Sequence, residues 1–190
     1  DPTRLLAYVA TRAPQDWRLV SPYVLPVWWG ARGNRELRDC EDAFLLGDSL
    51  LVAPVLAPGV ERRPVQLPRG HWYDTATGRV HRGPGRVQLE APLSRIPVLA
   101  RAGAVVPVRG DGGELELEVW APARGRTGGG LVVRDPGDGW REPEIERYVA
   151  RWEGSRVVVE RGGGAGGPPP PCPCLINTSE AAGALHCVDL

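Results

Sequence analysis

The chain has no methionine and no lysine, and it contains one phenylalanine among its 190 residues. Because it lacks an initiator residue, we expect it to be part of a longer protein. Without lysine, the basic side chains other than histidine are all arginine, and 23 of them balance 23 acidic residues at a net charge of zero. This balance gives no basic stripe and no acidic tail, so we expect no nucleic-acid partner.

The sequence also lacks a run of about 18 apolar residues, which a membrane-spanning helix would need. No charged and then apolar segment stands at the N-terminus, and in part of a longer protein this says nothing about export. Cysteine occurs at positions 40, 172, 174 and 187, and Cys40 alone can form no disulfide framework in the folded part. We expect no membrane partner and slightly favour the cytoplasm, while the compartment and the oligomeric state stay open.

Residues 3–13 have the periodicity of a short amphipathic helix. Leu5, Leu6 and Val9 fall on one face at three- and four-residue spacing. Pro14 then ends the helix. A lone helix of this length is marginal in water, so this apolar face must pack on something.

After Val20 the sequence pattern changes to short apolar runs separated by Gly, Pro and Asp. Runs of this kind with polar turns predict an antiparallel β-sandwich. Residues 114–119 alternate Glu with aliphatic residues, which predicts a half-buried strand with its carboxylates in water. The expected strands are Leu50–Val55, Val65–Leu67, Val87–Leu93, Arg95–Val98, Ala104–Val108, Glu114–Val119, Leu131–Val133, Tyr148–Trp152 and Arg156–Glu160.

Three motifs follow one another at 41–56, 67–74 and 96–107. They read Glu-Asp-Ala-Phe-Leu-Leu-Gly-Asp-Ser-Leu-Leu-Val-Ala-Pro-Val-Leu, Leu-Pro-Arg-Gly-His-Trp-Tyr-Asp and Ile-Pro-Val-Leu-Ala-Arg-Ala-Gly-Ala-Val-Val-Pro. Their order and spacing resemble the C-terminal portion of glycoside hydrolase family 31, the α-glucosidase and α-xylosidase family. The resemblance runs from Leu5 to Glu160 and is strongest over Trp28–Pro107.

The resemblance implies an all-β fold, in which an antiparallel β-sandwich follows a short α-helical remnant of a (β/α)8 barrel. A partial distal β domain comes after the sandwich. From Gly162 the chain is rich in Gly and Pro, which cannot bury enough surface to order itself. The expected domains are the barrel end at 1–44, the proximal β-sandwich at 45–108, the partial distal domain at 109–161 and a disordered tail at 162–190.

The family cleaves terminal α-glycosidic bonds with retention, using two Asp residues on earlier barrel strands. No segment here matches its Trp-x-Asp-Met-Asn-Glu type of nucleophile motif. The resemblance therefore implies the supporting β-sandwich of an α-glycoside hydrolase, without catalytic residues and inactive alone. It implies no cofactor and, through the barrel, an α-linked oligosaccharide or α-glycoside as substrate. The substrate-binding residues and the choice between glucoside and xyloside stay unknown.

The carboxylates Glu41, Asp42 and Asp48 are the first candidates for chemistry in this chain. A retaining glycosidase needs two carboxyl groups about 5 to 5.5 Å apart, and an inverting one about 6.5 to 9.5 Å. We expect these residues instead to cap turns and bind backbone N–H groups. His71 and Asp74 could form a proton relay, but we expect Trp72 in the core and Asp74 at a turn.

An aromatic pair, an acidic Gly-rich segment and a cluster of Cys and His residues are further candidates for binding. We expect Trp28 and Trp29 to pack at the junction with the barrel, with direct sugar contact the weaker alternative. Asp135–Gly139 has oxygen ligands at a spacing that suggests Ca²⁺ but lacks the remaining donors, so we expect a hairpin turn. Cys172, Cys174, His186 and Cys187 are spaced too closely for a structural zinc site, so we expect no metal.

Two other classes of function remain open. The chain could be a carbohydrate-binding β-sandwich without catalysis, with Trp72, Tyr73, Trp120 or Trp140 as exposed stacking rings. It could also be a protein-interaction sandwich with an exposed edge strand at 114–119, although alternating Glu residues disfavour edge pairing.

Overall fold

The structure is a computed structural model that describes residues 2–11, 22–31, 33–134, 144–162, 176–177 and 185–188. Over these ranges the chain is mostly β-strand with short helical turns, and the strand pairs in its sheets are antiparallel. The predicted antiparallel β fold is thereby confirmed. The strands fall into two compact units, Pro22–Ala102 and the combination of Asp1–Ser21 with Gly103–Leu190.

The unit Pro22–Ala102 contains one six-stranded sheet in the order β1-β2-β3-β6-β4-β5. A 3-10 turn at Val27–Gly30 and a one-turn helix at Arg35–Arg38 lie between the first two strands, and Asn34 Oδ1 caps the helix. The strands are β1 Val24–Pro26, β2 Phe44–Leu46, β3 Leu50–Val52, β4 Arg62–Asp74, β5 Val80–Glu90 and β6 Val98–Arg101.

The β4–β5 hairpin is much longer than the two short strands predicted at 65–67 and 87–93. Pro64, Pro68 and the Gly-Pro-Gly at 83–85 indicated breaks in the sequence, yet the hairpin continues through them with a register shift between Leu67 and Gly70. On its other side β4 pairs with β6 only over Trp72–Asp74. Proline is tolerated where a strand has an edge that need not donate N–H groups.

The core of this unit gathers aliphatic side chains from every strand of the sheet around Trp72. Trp72 is fully buried, and so is Leu37 on the short helix. Each buried Leu or Val contributes about 1.5 to 3 kcal/mol through removal of apolar surface from water. The buried cluster comprises Leu25, Val27, Leu37, Ala43, Leu45, Leu51, Ala53, Val65, Leu67, Trp72, Leu89 and Leu99.

The second unit contains a four-stranded sheet in the order β12-β11-β10-β9 and a three-stranded sheet in the order β13-β8-β7. Its core, which includes Val105, Val119, Val132 and Ala150, draws residues from both sheets. The strands are β7 Val105–Arg109, β8 Leu115–Val119, β9 Gly128–Arg134, β10 Glu144–Glu153, β11 Arg156–Gly162, β12 Ile176–Asn177 and β13 Leu185–Val188. The predicted strands of residues 131–160 are thus confirmed.

The start of β9 runs against the backbone that leads into β7. Ala104 and Gly129 form a parallel bridge, and Gly129 N donates to Gly103 O at 2.8 Å. A Cβ atom at Gly130 would collide with the carbonyl oxygen of Val105. Glycine is therefore required here by the approach of one backbone to another.

The predicted N-terminal helix is present over the described residues 2–11. A 3-10 turn at Pro2–Leu5 leads into helical residues 6–11. Tyr8 and Thr11 are buried, whereas Leu6 is 51% exposed. Thr11 Oγ1 accepts a hydrogen bond from Val133 N at 3.3 Å. Of the predicted apolar face, Leu5 and Val9 are half-buried and Leu6 is exposed, so this face is partly packed.

Strand β8 departs in part from the prediction of a half-buried strand with its carboxylates in water. It lies between β13 and β7 in its sheet, and Glu118 is only 5% exposed. Arg4 Nη2 lies 3.0 Å from Glu118 Oε2, which gives the buried carboxylate a charged partner. The predicted water-facing position was wrong for Glu118, and the proposed exposed edge at 114–119 is occupied by a neighbouring strand.

Two short strands occur in the segment that we predicted to be disordered. β12 pairs with β11, and β13 pairs with β8. The predicted domain boundaries, including the assignment of residues 1–44 to the end of a barrel, stay predictions. Over the described ranges, no helix is both long and apolar enough to cross a membrane.

Candidate functional site

Asp42 is held by the guanidinium group of a buried arginine. Arg63 Nη2 lies 2.6 Å from Asp42 Oδ2 and donates to the Asp42 carbonyl oxygen at 2.9 Å, while Nη1 donates to Pro54 O. The Arg63 side chain is 7% exposed and that of Asp42 54%. Arg63 thus ties β4 to two preceding segments. The structural interpretation of Asp42 gains support, but its partner is an arginine and not the predicted turn amides.

The other two carboxylates of this segment, Glu41 and Asp48, are exposed. Ser49 Oγ donates to Asp48 Oδ1 at 2.9 Å, a contact between chain neighbours at the turn before β3. Among the described residues, no group of three or more His, Cys, Asp or Glu side chains could hold a metal ion.

Two of the four residues in the His71–Asp74 segment, Trp72 and Asp74, make contacts that stabilise the fold. Trp72 is fully buried, and its Nε1 donates to Pro68 O at 3.0 Å. Asp74 Oδ1 accepts hydrogen bonds from Ala76 N at 2.9 Å and Thr77 N at 3.3 Å, which closes the turn after β4. Both placements agree with the sequence interpretation.

Burial also affects the titration of two groups in this unit. The pKa of Tyr73 is raised because burial disfavours its phenolate. The pKa of Cys40 is raised, first by burial and then by the hydrogen bond from its thiol to Asp42 Oδ1 at 3.5 Å. A raised pKa leaves little thiolate at neutral pH, so Cys40 is not activated as a nucleophile.

Aromatic side chains give little support to a sugar-stacking platform. Of the four candidate rings, Trp72 is fully buried, Trp120 is 1% exposed and Tyr73 is half-buried, while Trp140 lies outside the described residues. Trp28 packs against the core, while Trp29 beside it is 40% exposed, with 6.1 Å between the ring centroids.

The candidate metal-binding residues that the sequence offered lie outside the part of the chain that the structure describes. Residues 135–139, Cys172 and Cys174 lie outside the described residues, as do the side chains of His186 and Cys187 in β13. The predicted hairpin turn and the predicted absence of a metal there stay predictions.

One feature that the sequence did not indicate is a cleft of about 930 Å³ between two loops of the unit Pro22–Ala102. It is formed by residues 54–62, which lead from β3 to the first residue of β4, and residues 90–96, which lead from the last residue of β5 towards β6. Three aliphatic side chains at its rim are exposed: Leu56 at 72%, Leu93 at 105% and Ile96 at 57%. The sequence signal that could have indicated their exposure is their position beside turn-forming Pro and Gly residues, where strands end.

Comparison with known proteins finds a family match that covers the unit Pro22–Ala102. Residues 20–106 match the family model described as "Glycosyl hydrolase family 31 C-terminal domain". An α-xylosidase of Saccharolobus solfataricus is 27% identical over 118 residues, or 62% of this chain and 16% of the relative. The neutral alpha-glucosidase AB of Homo sapiens is 37% identical over 105 residues, or 54% of this chain and 11% of the relative.

Solved structures agree in fold over a larger part of the chain. A family 31 dextranase of Flavobacterium johnsoniae, complexed with glucose, aligns with a TM-score of 0.77 at 21% identity, covering 84% of this chain and 21% of its own. A family 31 α-xylosidase of Xanthomonas citri aligns with a TM-score of 0.69 at 26% identity, covering 85% and 19%. The chain thus spans about a fifth of these proteins.

Together, the antiparallel sheets and the matched relatives define a β domain associated with glycoside hydrolases. More narrowly, residues 20–106 match the C-terminal domain of glycosyl hydrolase family 31, and the resemblance predicted from the sequence is confirmed.

Proposed function

We propose that this chain is the C-terminal β-sandwich part of a retaining α-glycoside hydrolase, supporting a catalytic barrel while contributing no catalytic residue. The observation that carries the proposal is the match of residues 20–106 to the family's C-terminal domain. Because the chain spans 11% to 21% of the relatives quoted above, most of such an enzyme lies in segments with no counterpart here.

The bonding of the carboxylates supports a structural role. Asp42 pairs with Arg63, and Asp74 accepts two amide hydrogen bonds at its turn. A catalytic pair must face one sugar with a nucleophile on one side and a proton donor on the other. Residues bound in this way stabilise loops and are not free to form such a pair.

In the proposed enzyme the chemistry belongs to the barrel. One carboxylate attacks the anomeric carbon and a second protonates the leaving oxygen, then activates water, so that two inversions give net retention. The sandwich contributes rigidity: its β4–β5 hairpin is held to the preceding segments through Arg63 and contributes Trp72 to the core.

The proposed substrate is an α-glucoside or α-xyloside, because the relatives quoted above are described as an α-xylosidase and an α-glucosidase. The test is to express the longer polypeptide that contains this chain and assay it with 4-nitrophenyl α-glucoside and α-xyloside. Proton NMR of the first product identifies the anomer. We expect the α-anomer of the sugar; early release of the β-anomer refutes retention, and no hydrolysis of any α-glycoside refutes the function.

Non-catalytic carbohydrate binding is the second candidate, and one observation favours keeping it: Trp29 is 40% exposed beside Trp28. It is weakened by the burial of Trp72 and Trp120. Titration of this chain with maltodextrin should leave its tryptophan fluorescence unchanged. Saturable quenching that Trp29→Ala abolishes would instead support the binding module.

A further inference from the structure

The β4–β5 hairpin collects arginine residues that few acidic residues balance nearby. Residues 62–86 contain six arginines and one acidic residue, Asp74. The net charge of zero for the whole chain therefore conceals an uneven distribution, with a basic hairpin and an acidic excess elsewhere. A surface region with charge of one sign attracts ligands of the opposite sign, so the hairpin is the part of the chain that would attract an anion.

The strand register places four basic groups on the face of the hairpin that points away from the core, here called the arginine face. His71 on β4 lies directly opposite Arg82 on β5, and it follows the alternation of its neighbour Trp72, which is fully buried on the other face. Arg86 lies four residues further along β5, roughly 13 Å from Arg82 at the usual strand rise. Arg69 lies exposed at the register shift, two residues before His71.

The side chains of the arginine face have no ion pair or hydrogen bond with the residues that the structure describes. The three arginines are exposed and His71 is half-buried. Two carboxylates border the face, and each already has a partner. Glu90 Oε1 lies 3.9 Å from Arg62 Nη2, and Glu36 Oε2 accepts a hydrogen bond from Gln66 Nε2 at 2.8 Å. The four basic groups are therefore available to a ligand.

The shape of the arginine face suits an extended polyanion better than a small anion. A sheet face has no walls that would exclude water, so one anion between His71 and Arg82 would be bound weakly. A polymer with repeated anionic groups contacts Arg82 and Arg86 at the same time, and linked contacts strengthen one another. The straight row of basic groups along β5 therefore favours an extended polymer.

The remaining side chains of this face favour a glycan over a nucleic acid. Proteins that bind single-stranded nucleic acids stack the bases on aromatic rings between the basic groups. Besides His71, the outward positions of β4 and β5 include one aromatic residue, Tyr73, which is half-buried. Residues 20–106 match a domain of a glycoside hydrolase family, and a glycan is the polymer that such an enzyme encounters.

We propose that the arginine face binds an acidic glycan, whose carboxylate or sulfate groups lie along β5 and contact Arg82 and Arg86. The inference rests on the proposed function for the sugar nature of the ligand. It deepens that function by naming a charged class of polymer and a surface that binds it. Such a contact holds an enzyme on its polymer without taking part in the hydrolysis.

The test is binding of this chain to fluorescein-labelled oligomers of galacturonate and of sulfated dextran, measured by fluorescence anisotropy beside neutral dextran. Arg82→Gln combined with Arg86→Gln removes two charges from the arginine face. Arg109→Gln combined with Arg126→Gln removes two exposed charges elsewhere and is the matched control. We expect the Kd for an acidic glycan to rise at least about tenfold in the first variant and less than about twofold in the control.

Salt dependence and a conservative variant separate the loss of charge from damage to the fold. The slope of log K against log salt concentration should be smaller by about 1 to 2 in Arg82→Gln combined with Arg86→Gln, because fewer counterions are released on binding. Arg82→Lys combined with Arg86→Lys keeps both charges and should bind within about threefold of the unsubstituted chain. An equal loss of binding in the lysine and glutamine variants would overturn the proposal.

The absence of binding to both acidic glycans overturns the proposal, as does equal binding of neutral dextran or an equal loss in the control variant. Tighter binding of oligothymidylate than of both acidic glycans also overturns it, because the ligand would then be a nucleic acid. Loss of binding in the longer polypeptide overturns it too, since the arginine face would be covered there.

Hydrolysis of 4-nitrophenyl α-glucoside and α-xyloside by the longer polypeptide tests the proposed function separately, because neither substrate carries a charge on its sugar. An active enzyme that binds no acidic glycan refutes only the arginine face. An inactive polypeptide that binds acidic glycans refutes only the proposed function.

Discussion

Replacing Glu146 with glutamine should destabilise the second unit far more than the same change at Glu144 on the same strand. The Glu146 side chain is 2% exposed and accepts from three donors: Arg134 Nε at 3.0 Å, Arg161 Nη2 at 2.9 Å and Tyr148 Oη at 2.8 Å. Glu144 also pairs with Arg161, at 3.2 Å, but its side chain is 66% exposed. The two residues therefore share a charge and one partner, Arg161, and differ in burial and in the number of donors.

The expected magnitude follows from which groups can return to water. Glutamine keeps the shape of Glu146 but replaces one acceptor oxygen with a donor that faces other donors. Hydrogen bonds to charged groups contribute about 1.5 to 3 kcal/mol. Arg134 and Arg161 are 42% and 43% exposed and can rehydrate, which reduces the loss. We expect about 2 to 3 kcal/mol for Glu146→Gln and about 0 to 0.5 kcal/mol for Glu144→Gln.

The assay is urea unfolding with peptide-resolved hydrogen exchange over β10, which reports on this unit alone. With a slope of about 2 kcal/mol per molar urea, the midpoint should fall by about 1 to 1.5 M for Glu146→Gln. It should fall by less than about 0.25 M for Glu144→Gln. Equal midpoints for the two variants would refute the argument that burial makes this carboxylate important.

Two further predictions concern backbone approach and burial of a phenol. Gly130→Ala should lower the free energy of unfolding by about 3 kcal/mol or prevent folding of the unit, because its Cβ would meet Val105 O. Gly33→Ala places its Cβ in open space and should change the free energy of unfolding by no more than about 0.5 kcal/mol. Circular dichroism melts of both variants check this. The pKa of Tyr73 is raised in the folded state. Its contribution to stability is therefore complete below the pKa of the unfolded state, about 10, and is lost as the pH rises through the pKa of the folded state. Above about pH 10, the stability of Tyr73→Phe should therefore fall less than that of the unsubstituted chain. An identical fall in the variant and the unsubstituted chain would contradict this prediction.

Local alternation predicted the strands well where each strand carries its own signal. Strands β9, β10 and β11 follow short apolar runs that the sequence shows directly. The β4–β5 hairpin was underestimated because Pro64 and Pro68 indicate breaks only if the strand must donate along both edges. The sequence does not show which edges are free, since that depends on how far β6 extends.

Burial of polar groups was predicted where the partner is close in sequence and missed where it is distant. Asp74 binds amides two and three residues away, and the sequence interpretation placed it at a turn. Glu118 pairs with Arg4 and Asp42 with Arg63, and no local pattern identifies such partners. Leu93 was assigned to a strand by its alternation, but β5 ends at Glu90 and leaves Leu93 on a loop.

The most direct test of the central claim is turnover by the purified present chain. It should be assayed at high enzyme concentration with 4-nitrophenyl α-glucoside and α-xyloside, beside a matched preparation of Asp42→Asn combined with Asp48→Asn. The account predicts no release of nitrophenol above buffer in either preparation. Turnover by the unsubstituted chain that the double substitution abolishes would contradict the account, because it would place catalytic carboxylates within this domain.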